Sequence, residues 1–244
     1  MLNWLRKRHT EIQGNPITID IHSHLLPGLD DGVQSFEESE QVIRRFIALG
    51  FRKLITTPHV MSDTYRNTSE MILGRLSELR QFLHEKEIHI QMDAAAEYYL
   101  DEDLIGKIES NARLLTFGRN YLLFETNFLT EPLLLKEFIF QVTSKGYHPV
   151  LAHPERYIYL QNNLAKLEDL IDRGVLFQIN ISSLTGYYSK GAQTTAQKLI
   201  DRGYVHFLGS DCHSLNHVEL VAQASVMRYY QKAITLPLQN NTLD

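Results

Sequence analysis

The sequence predicts an α/β fold in which parallel strands form a sheet or barrel built from β/α units. Seven short aliphatic and β-branched runs alternate with stretches whose apolar residues recur at three- and four-residue spacing, as in one-sided helices. Four of the helical stretches are followed by a glycine that precedes a strand, where a residue tolerant of positive φ ends a helix. This alternation is typical of a parallel sheet covered by helices.

The predicted elements fill most of the chain. Strands are expected at 17–21, 53–56, 88–95, 121–124, 149–151, 176–179 and 205–208. Helices are expected at 37–49, 69–84, 133–145, 164–172 and 192–202, and the terminating glycines are Gly50, Gly146, Gly174 and Gly203. Seven such units leave little room for a second domain. We therefore predict a single domain over residues 1–244 with its core at about 17–235, a short N-terminal lead, and a polar tail from about Leu236 that is expected to be disordered.

Composition narrows the classes of function. The 244 residues are 43% hydrophobic, enough for a sizeable core, and the net charge of -5 provides no basic field for nucleic acid or acidic membranes. Cys212 is the single cysteine, so no intrachain disulfide is expected, and the first residues lack the apolar stretch of a secretory signal. No run reaches the roughly 18 apolar residues of a membrane span. A cytoplasmic protein without stable membrane insertion is predicted, and its oligomeric state is left open.

Side chains that can bind metal follow six of the seven predicted strands. They are His22 and His24, then His59, Glu97, Glu125 and His153, and finally Asp211 and His213. In β/α barrels the loops at the carboxyl ends of the strands form one face, so residues far apart in sequence converge there. Convergence of this kind is harder to obtain by chance than any single motif.

Spacing and residue type indicate a metal cluster. His22 and His24 are two residues apart, so both imidazoles leave the same face of an extended segment and can bind one ion. Asp211 and His213 repeat that spacing at the last strand. Imidazole and carboxylate ligands without thiolate suit manganese, iron or zinc, and a carboxylate such as Glu97 can bridge two ions. We expect two or three bound metals.

Each candidate also has an ordinary structural interpretation. A lone His59 or His153 is more often a hydrogen-bonded structural histidine, and a lone Glu125 can be a buried ion-pair partner. The joint pattern outweighs these alternatives. Six further histidines do not follow strands and are interpreted as structural or surface residues, His217 with the least support: His9, His84, His89, His148, His206 and His217.

Several segments resemble the conserved blocks of the polymerase and histidinol phosphatase (PHP) superfamily, specifically its CpsB/CapC/YwqE type of bacterial protein-tyrosine phosphatase. The segments are DIHSHLLPGLDDG, TTPHV, AEYYL, FETNF, LAHPERY, QINISSLTG and GSDCHS, and they span about residues 17–217. The resemblance implies a distorted (β/α)7 TIM-like barrel and a site for three divalent ions, manganese first, with iron or zinc as alternatives. It also implies a phosphotyrosyl protein substrate, a tyrosine kinase of capsular or exopolysaccharide synthesis.

The resemblance further implies how ligands are shared among three metals. The first metal would be held by His22, His24, Glu97 and Asp211, with Glu97 bridging to a site completed by Glu125 and His153. The third would be held by His59, His213 and a carboxylate of the Asp30–Asp31 pair. Asp31 is favoured because its place in the DDG block matches the family's ligand. Asp30 would then cap the turn before the helix that follows Phe36.

Arg156, in the HPERY block, is the candidate for binding phosphate, because a guanidinium can hold two phosphoryl oxygens at once. Its alternative is an exposed arginine at a helix terminus. Some relatives have a second arginine after the Asp-x-His element, where this chain has only His217, and Arg66 is considered as a replacement. Tyrosines that could wall the substrate ring, or simply pack, are Tyr98, Tyr99, Tyr157, Tyr187 and Tyr188.

The expected reaction is that of a phosphoric monoester hydrolase in which a metal-bridging hydroxide attacks phosphorus. Arg156 would hold the phosphoryl oxygens, and either His213 or a metal-bound water would assist the leaving group. One alternative is a histidinol-phosphate or other small phosphomonoester phosphatase on the same scaffold. Another is a non-catalytic PHP module, which the full set of ligands disfavours.

Overall fold

The structure, a computed structural model, describes residues 17–243; the predicted N-terminal lead lies outside this range. Within it the strands are β1 (Ile19–Asp20), β2 (Lys53–Thr56), β3 (His59–Val60), β4 (Gln91–Ala94), β5 (Glu97–Tyr99), β6 (Tyr121–Glu125), β7 (His148–Ala152), β8 (Leu176–Asn180) and β9 (Phe207–Gly209). The helices are α1 (Phe36–Ala48), α2 (Ser69–Glu85), α3 (Glu102–Glu109), α4 (Leu135–Ser144), α5 (Leu164–Asp172), α6 (Lys190–Arg202), α7 (Leu215–Ser225) and α8 (Arg228–Ala233). None of these helices is long and apolar enough to span a bilayer.

Every paired strand is parallel to its neighbour, in the orders β1-β2-β4 and β3-β5-β6-β7-β8-β9. Two of the predicted strands are each followed, after a two-residue break, by a further short strand: β3 follows β2 across Thr57 and Pro58, and β5 follows β4. Proline has no amide hydrogen and interrupts the ladder at the first break. Backbone hydrogen bonds from Ala95 to Thr56 (2.9 Å) and from Glu97 to Pro58 (3.1 Å) keep the two sheets continuous. Seven of these nine strands overlap the predicted ones, and β3 and β5 were not predicted.

The first and last strands meet and close a barrel. The Asp211 amide donates to the His22 carbonyl (2.8 Å), and the His24 amide donates to the Cys212 carbonyl (2.9 Å). Below them, the buried Asp20 carboxylate accepts hydrogen bonds from the amide and hydroxyl of Ser210, at 2.8 and 2.7 Å. The predicted barrel of β/α units is confirmed.

Two apolar layers result from the alternation of side chains along the strands. One cluster lies inside the barrel and includes Ile19, Ile55, Leu123, Val150 and Phe207. Neighbouring positions, such as Leu122 and Leu151, belong to a larger cluster packed with the helices. The inner layer fills the barrel at its amino end, which leaves the carboxyl end to polar side chains.

The helix predictions hold to within a few residues, and three helices were missed. The helix predicted at 164–172 is α5, and the four terminating glycines all have positive φ. The missed helices are α3, α7 and α8. In α3, Leu104 and Ile108 alone are buried, too sparse a pattern to recognise. The cap of α1 is Ser35, whose side chain accepts from the Glu38 amide, while Asp30 caps the turn before it by accepting from the Gly32 amide at 3.0 Å.

The expectation of a disordered tail is wrong. Asn240 is only 1% exposed, and its Nδ2 donates to the carbonyls of Ile19 (3.1 Å) and Leu208 (2.7 Å) while its Oδ1 accepts from the Leu208 amide (3.0 Å). One amide thus bridges β1 and β9 at the seam. Leu243 packs in the inner cluster, and its carbonyl accepts from the buried Lys53 ammonium at 2.7 Å. A polar composition concealed a segment that closes the barrel.

We predict that Asn240→Ala lowers the free energy of unfolding by about 1–3 kcal/mol, because it leaves buried backbone groups of two strands without partners. Chemical denaturation measures the change. The matched control is Gln81→Ala on the exposed face of α2, which should stay within about 0.5 kcal/mol of the parent. Equal stability of the two variants would show that the tail does not hold the seam.

Candidate metal centre

The structure brings all nine predicted ligands to the carboxyl end of the barrel. They are His22, His24, Asp31, His59, Glu97, Glu125, His153, Asp211 and His213. Two of them have backbone conformations that are uncommon outside glycine, with φ of 36° at His153 and 50° at Asp211. Such conformations tend to occur at functional sites, where the surrounding structure holds them.

Glu97 lies at the centre of the cluster and is fully buried. Its Oε2 is 3.1 Å from His22 Nε2 and 3.4 Å from His24 Nε2. The same oxygen is 3.2 Å from His59 Nδ1, and the other oxygen is 3.1 Å from His153 Nε2. One carboxylate therefore faces four imidazoles, the geometry expected of a ligand that bridges cations.

The electrostatics of the cluster favour positive charge inside it. Burial alone would raise the pKa of Glu97, but the charges of His22 and His59 outweigh it and hold that pKa well below its usual value. Burial would likewise raise the pKa of Asp211, but the charge of His22 outweighs it and holds that pKa well below its usual value. His22 is raised to a pKa of about 9, since Glu97 and Asp211 outweigh the effect of burial. The carboxylates thus stay ionised and attract a cation.

Lone pairs of the first two histidines converge on one point. His24 Nδ1 is 2.7 Å from Asp30 Oδ2, and His22 Nδ1 is 2.7 Å from Gln178 Oε1. In the neutral ring that metal binding requires, each Nδ1 therefore carries the hydrogen, and each Nε2 has its lone pair directed inward. The two Nε2 atoms are 3.3 Å apart. Two lone pairs at that distance repel unless a cation or proton lies between them.

Unpartnered atoms give an independent test of fit. His59 Nδ1 and Glu125 Oε1 are buried and 3.1 Å apart, yet neither has a hydrogen-bond partner within residues 17–243. Buried polar atoms are rarely left unpaired unless something else satisfies them. Imidazole nitrogens and carboxylate oxygens suit divalent transition-metal ions, so the residues present fit bound metals.

Ligand atoms group in four sets, each within 4.8 Å. The sets are His24, Asp31, His59 and His213; His22, His24 and Asp211; His22, Glu97 and His153; and His59, Glu97 and Glu125. This grouping differs from the expected sharing in three respects. Glu125 groups with His59 and not with His153, although His153 Nε2 lies 3.9 Å from Glu125 Oε2. Glu97 is absent from the set of His22 and Asp211, and His24 also joins the set of Asp31.

The two neighbouring aspartates have different environments. Asp31 Oδ1 is 3.3 Å from His213 Nε2 and 3.5 Å from His59 Nε2, and the side chain is 55% exposed. Asp30 is buried and accepts hydrogen bonds from His24 and from the Gly32 amide. A Cβ at Gly32 would lie 2.2 Å from the His24 carbonyl oxygen, so only glycine fits in the DDG turn. Asp31 is therefore placed as a ligand would be, and Asp30 orients His24.

Arg156 extends from the short turn after β7 toward the cluster. Its NH1 donates to Asp211 Oδ2 at 2.9 Å, and its guanidinium carbon lies 4.6 Å from the ring centre of Phe128 and 4.1 Å from that of Tyr188. Packing between two rings limits the motion of the guanidinium. Its side chain is 23% exposed, so the alternative of a freely exposed arginine does not apply.

The remaining candidates are less close to the cluster. Tyr98 and Tyr157 are buried and pack in the core, whereas Tyr187 is 53% exposed and contacts His217. Arg66 donates to the Ser62 carbonyl and lines a cavity of about 340 Å³ that includes none of the nine ligands. Arg66 therefore does not provide a second arginine at the cluster.

Sequence reasoning missed the polar residues of the sixth predicted strand, β8. Gln178 contacts His22, and Asn180 Nδ2 donates to Asp211 Oδ2 at 2.6 Å. Tyr188 was considered as a wall for the substrate ring or as ordinary packing, but its hydroxyl also donates to Asp211 Oδ2, at 3.0 Å. A signal was present, because Gln178 and Asn180 are polar at period two in an otherwise apolar strand. The metal site was predicted from imidazoles and carboxylates, and amides are not among those residue types.

Comparison with known proteins agrees with this geometry. The model of a family described as capsular polysaccharide synthesis, CpsB/CapC, matches residues 18–234. The putative tyrosine-protein phosphatase CapC of Staphylococcus aureus is 29% identical over 199 residues, 82% of this chain and 78% of that protein. The tyrosine-protein phosphatase CpsB of Streptococcus pneumoniae is 29% identical over 203 residues, 81% of this chain and 84% of that protein.

A similar fold has been solved. It belongs to the crystal structures of YwqE from Bacillus subtilis and CpsB from Streptococcus pneumoniae, described as unique metal-dependent tyrosine phosphatases. The match has a TM-score of 0.81 and 26% identity, and it covers 92% of this chain and 93% of the other.

Cys212 lies between two of the predicted ligands but faces away from them. It is fully buried in the outer apolar cluster, and its Sγ is 3.3 Å from the Ser214 carbonyl oxygen. Burial raises the pKa of its thiol well above the usual value. An inert thiol is the expected consequence.

We predict that Cys212 in the native protein reacts with a thiol reagent at least about 100-fold more slowly than in denaturant, because the thiolate is scarce and inaccessible. Absorbance of the released chromophore measures the rate. Ser77→Cys, which adds a thiol on the exposed face of α2, is the positive control. If native Cys212 reacted as fast as this added thiol, its assignment as inert would be wrong.

Proposed function

Because the chain belongs to the CpsB/CapC family, we propose that it is a metal-dependent protein-tyrosine phosphatase acting on a tyrosine kinase of capsular or exopolysaccharide synthesis. The observation that carries the proposal is the buried group of nine metal-competent side chains beside Arg156. The names of the relatives supply the class of substrate. Three divalent ions, manganese first, and a cytoplasmic location are part of the proposal.

The charge of the site suits a phosphate monoester dianion. Four carboxylates are present, those of Asp31, Glu97, Glu125 and Asp211. Three divalent ions would leave a net positive charge among them. Bound ions would act as Lewis acids and lower the pKa of a coordinated water, which then becomes a nucleophile at neutral pH.

Arg156 is the residue proposed to hold the phosphoryl group. Within residues 17–243, its side chain donates one hydrogen bond, from NH1 to Asp211. Nε and NH2 are left for two phosphoryl oxygens, which a guanidinium can bind together. Because Phe128 and Tyr188 fix its plane, little side-chain entropy is lost on binding.

The leaving group needs little assistance from a general acid of the protein. A tyrosine phenol has a pKa of about 10, so it departs without a strong general acid. His213, considered above for this assistance, would have no proton to give as a metal ligand, because its Nε2 faces Asp31 and its Nδ1 lies 3.0 Å from the Asp211 carbonyl oxygen. The burial of Cys212 disfavours the other common solution, in which a thiolate attacks phosphorus.

Hydrolysis of a small phosphomonoester such as histidinol phosphate is the second candidate. The predicted metal ligands would act only on the phosphoryl end of a substrate, so they do not discriminate between substrates that differ in the alcohol that leaves. Relatives named as tyrosine-protein phosphatases favour the first candidate. A direct comparison of substrates separates the two.

We predict that the manganese-loaded protein hydrolyses a phosphotyrosyl peptide at least about tenfold faster than a phosphoseryl peptide or histidinol phosphate, since phenol is the better leaving group. Initial rates of phosphate release measure this. Chelation or Glu97→Gln should abolish turnover, because Glu97 contacts four imidazoles of the cluster.

The matched control is Glu219→Gln, which alters an exposed glutamate paired with Arg45 and should keep full activity. Faster hydrolysis of histidinol phosphate would favour the second candidate. Full activity in chelated protein would exclude the proposed chemistry.

Arg156→Ala should lower kcat/KM by about 10- to 100-fold, the value of a charge-assisted contact to phosphate. Arg156→Lys keeps the charge but loses the planar fork, so it should recover only part of the loss. Steady-state kinetics with an aryl phosphate provide the measurement. Arg173→Ala, an exposed arginine paired with Asp169, is the control. An effect within about twofold would remove Arg156 from the phosphate site.

A further inference from the structure

The strand β8 contributes no predicted metal ligand, although its neighbours β7 and β9 both lead into ligands. Gln178 and Asn180 are nevertheless fully buried, two residues apart, beneath the cluster. Fully buried amides require partners for both their donor and acceptor groups. The positions of those partners indicate the role of Gln178 and Asn180.

The direction of the hydrogen bonds is determined from one end. Asp211 Oδ2 accepts from Arg156 NH1, a group that can only donate, so the group that Asn180 presents to the same oxygen at 2.6 Å is Nδ2. Asn180 Oδ1 then accepts from Gln178 Nε2 at 2.9 Å. Gln178 Oε1 is consequently left as an acceptor for His22 Nδ1, at 2.7 Å. The orientation of each amide follows without further assumption.

Two ligands are affected by this chain of amides. His22 is required to carry its hydrogen on Nδ1, which directs the Nε2 lone pair toward Glu97. Asp211 has its Oδ2 occupied by donors from Asn180, Tyr188 and Arg156. Its Oδ1 alone faces His22 Nε2 and His24 Nε2, at 3.5 Å from each.

We propose that Gln178 and Asn180 act as one positioning unit, which selects the tautomer of His22 and presents a single oxygen of Asp211 to the metals. The inference rests on the metal binding in the proposed function and adds residues that are not ligands. The same unit connects the metal centre to Arg156 through Asp211. Residues that orient ligands in this way contribute to metal affinity, typically 10- to 100-fold.

The test measures metal affinity by competition with a fluorescent chelator, using zinc and manganese. Gln178→Met and Asn180→Leu are close in volume to the parent side chains and remove the amides. Each should weaken binding of the first ion by about 10- to 100-fold. The metal affinity of the double variant should be within about twofold of that of the weaker-binding single variant, because removal of either amide breaks the same chain of hydrogen bonds.

Asn240→Ala is the matched control for a structural effect. It removes another buried amide, but one whose side-chain hydrogen bonds within residues 17–243 go to backbone groups of β1 and β9. It should destabilise the protein and leave metal affinity within about twofold of the parent. A loss of affinity confined to the β8 variants therefore reports on the metal centre and not on general stability.

Two results would overturn the positioning unit. One is parental metal affinity in Gln178→Met and Asn180→Leu. The other is a loss in the double variant equal to the combined losses of the singles, which would mean independent packing defects. A parent protein that binds neither metal would instead contradict the proposed function, and the positioning unit with it.

Discussion

The structure depends on one buried carboxylate surrounded by four imidazoles. Glu97 is inaccessible to water and lies 3.1–3.4 Å from nitrogens of His22, His24, His59 and His153. Burying a charge is costly unless it is paired. Several imidazoles cannot all be protonated at such distances, because their charges would repel. Cations shared by Glu97 and the neutral imidazoles would pair the buried carboxylate and avoid repulsion between protonated rings. The barrel holds these side chains close enough to share such cations.

Much of this could be read from the sequence, because barrel geometry converts order along the chain into proximity. His59 and Glu97 are 38 positions apart, yet each follows a predicted strand. In the structure they begin the parallel neighbours β3 and β5, which bring His59 Nδ1 and Glu97 Oε2 to 3.2 Å. The spacing of His22 and His24 likewise specified a shared face. The choice between Asp30 and Asp31 could not be made from spacing alone. It depends on the path of the turn, where the close approach of Gly32 to His24 buries one carboxylate and exposes the other.

Two features that escaped prediction depend on uncharged amide side chains, whose hydrogen-bond partners no pattern of charge or hydrophobicity identifies. Asn240 lies in a polar segment that looks disordered, but its side chain satisfies the ends of two strands. Gln178 and Asn180 are polar positions in an otherwise apolar strand, but the sequence does not indicate that His22 and Asp211 are their partners. Pro58 can be recognised in the sequence, but its effect on the ladder depends on which strand lies alongside.

The metal centre also lies across the seam of the barrel. His22 and His24 follow β1, whereas Asp211 follows β9, and the backbones of these segments are joined directly by hydrogen bonds. Ions held by ligands from both sides would link the first and last strands, so binding energy would add to the stability of the closed barrel. Asp20 and Asn240 connect the same two strands below the ligands without metal. Protein contacts therefore join the first and last strands independently of the ions, and bound ions would add a second link between the same strands.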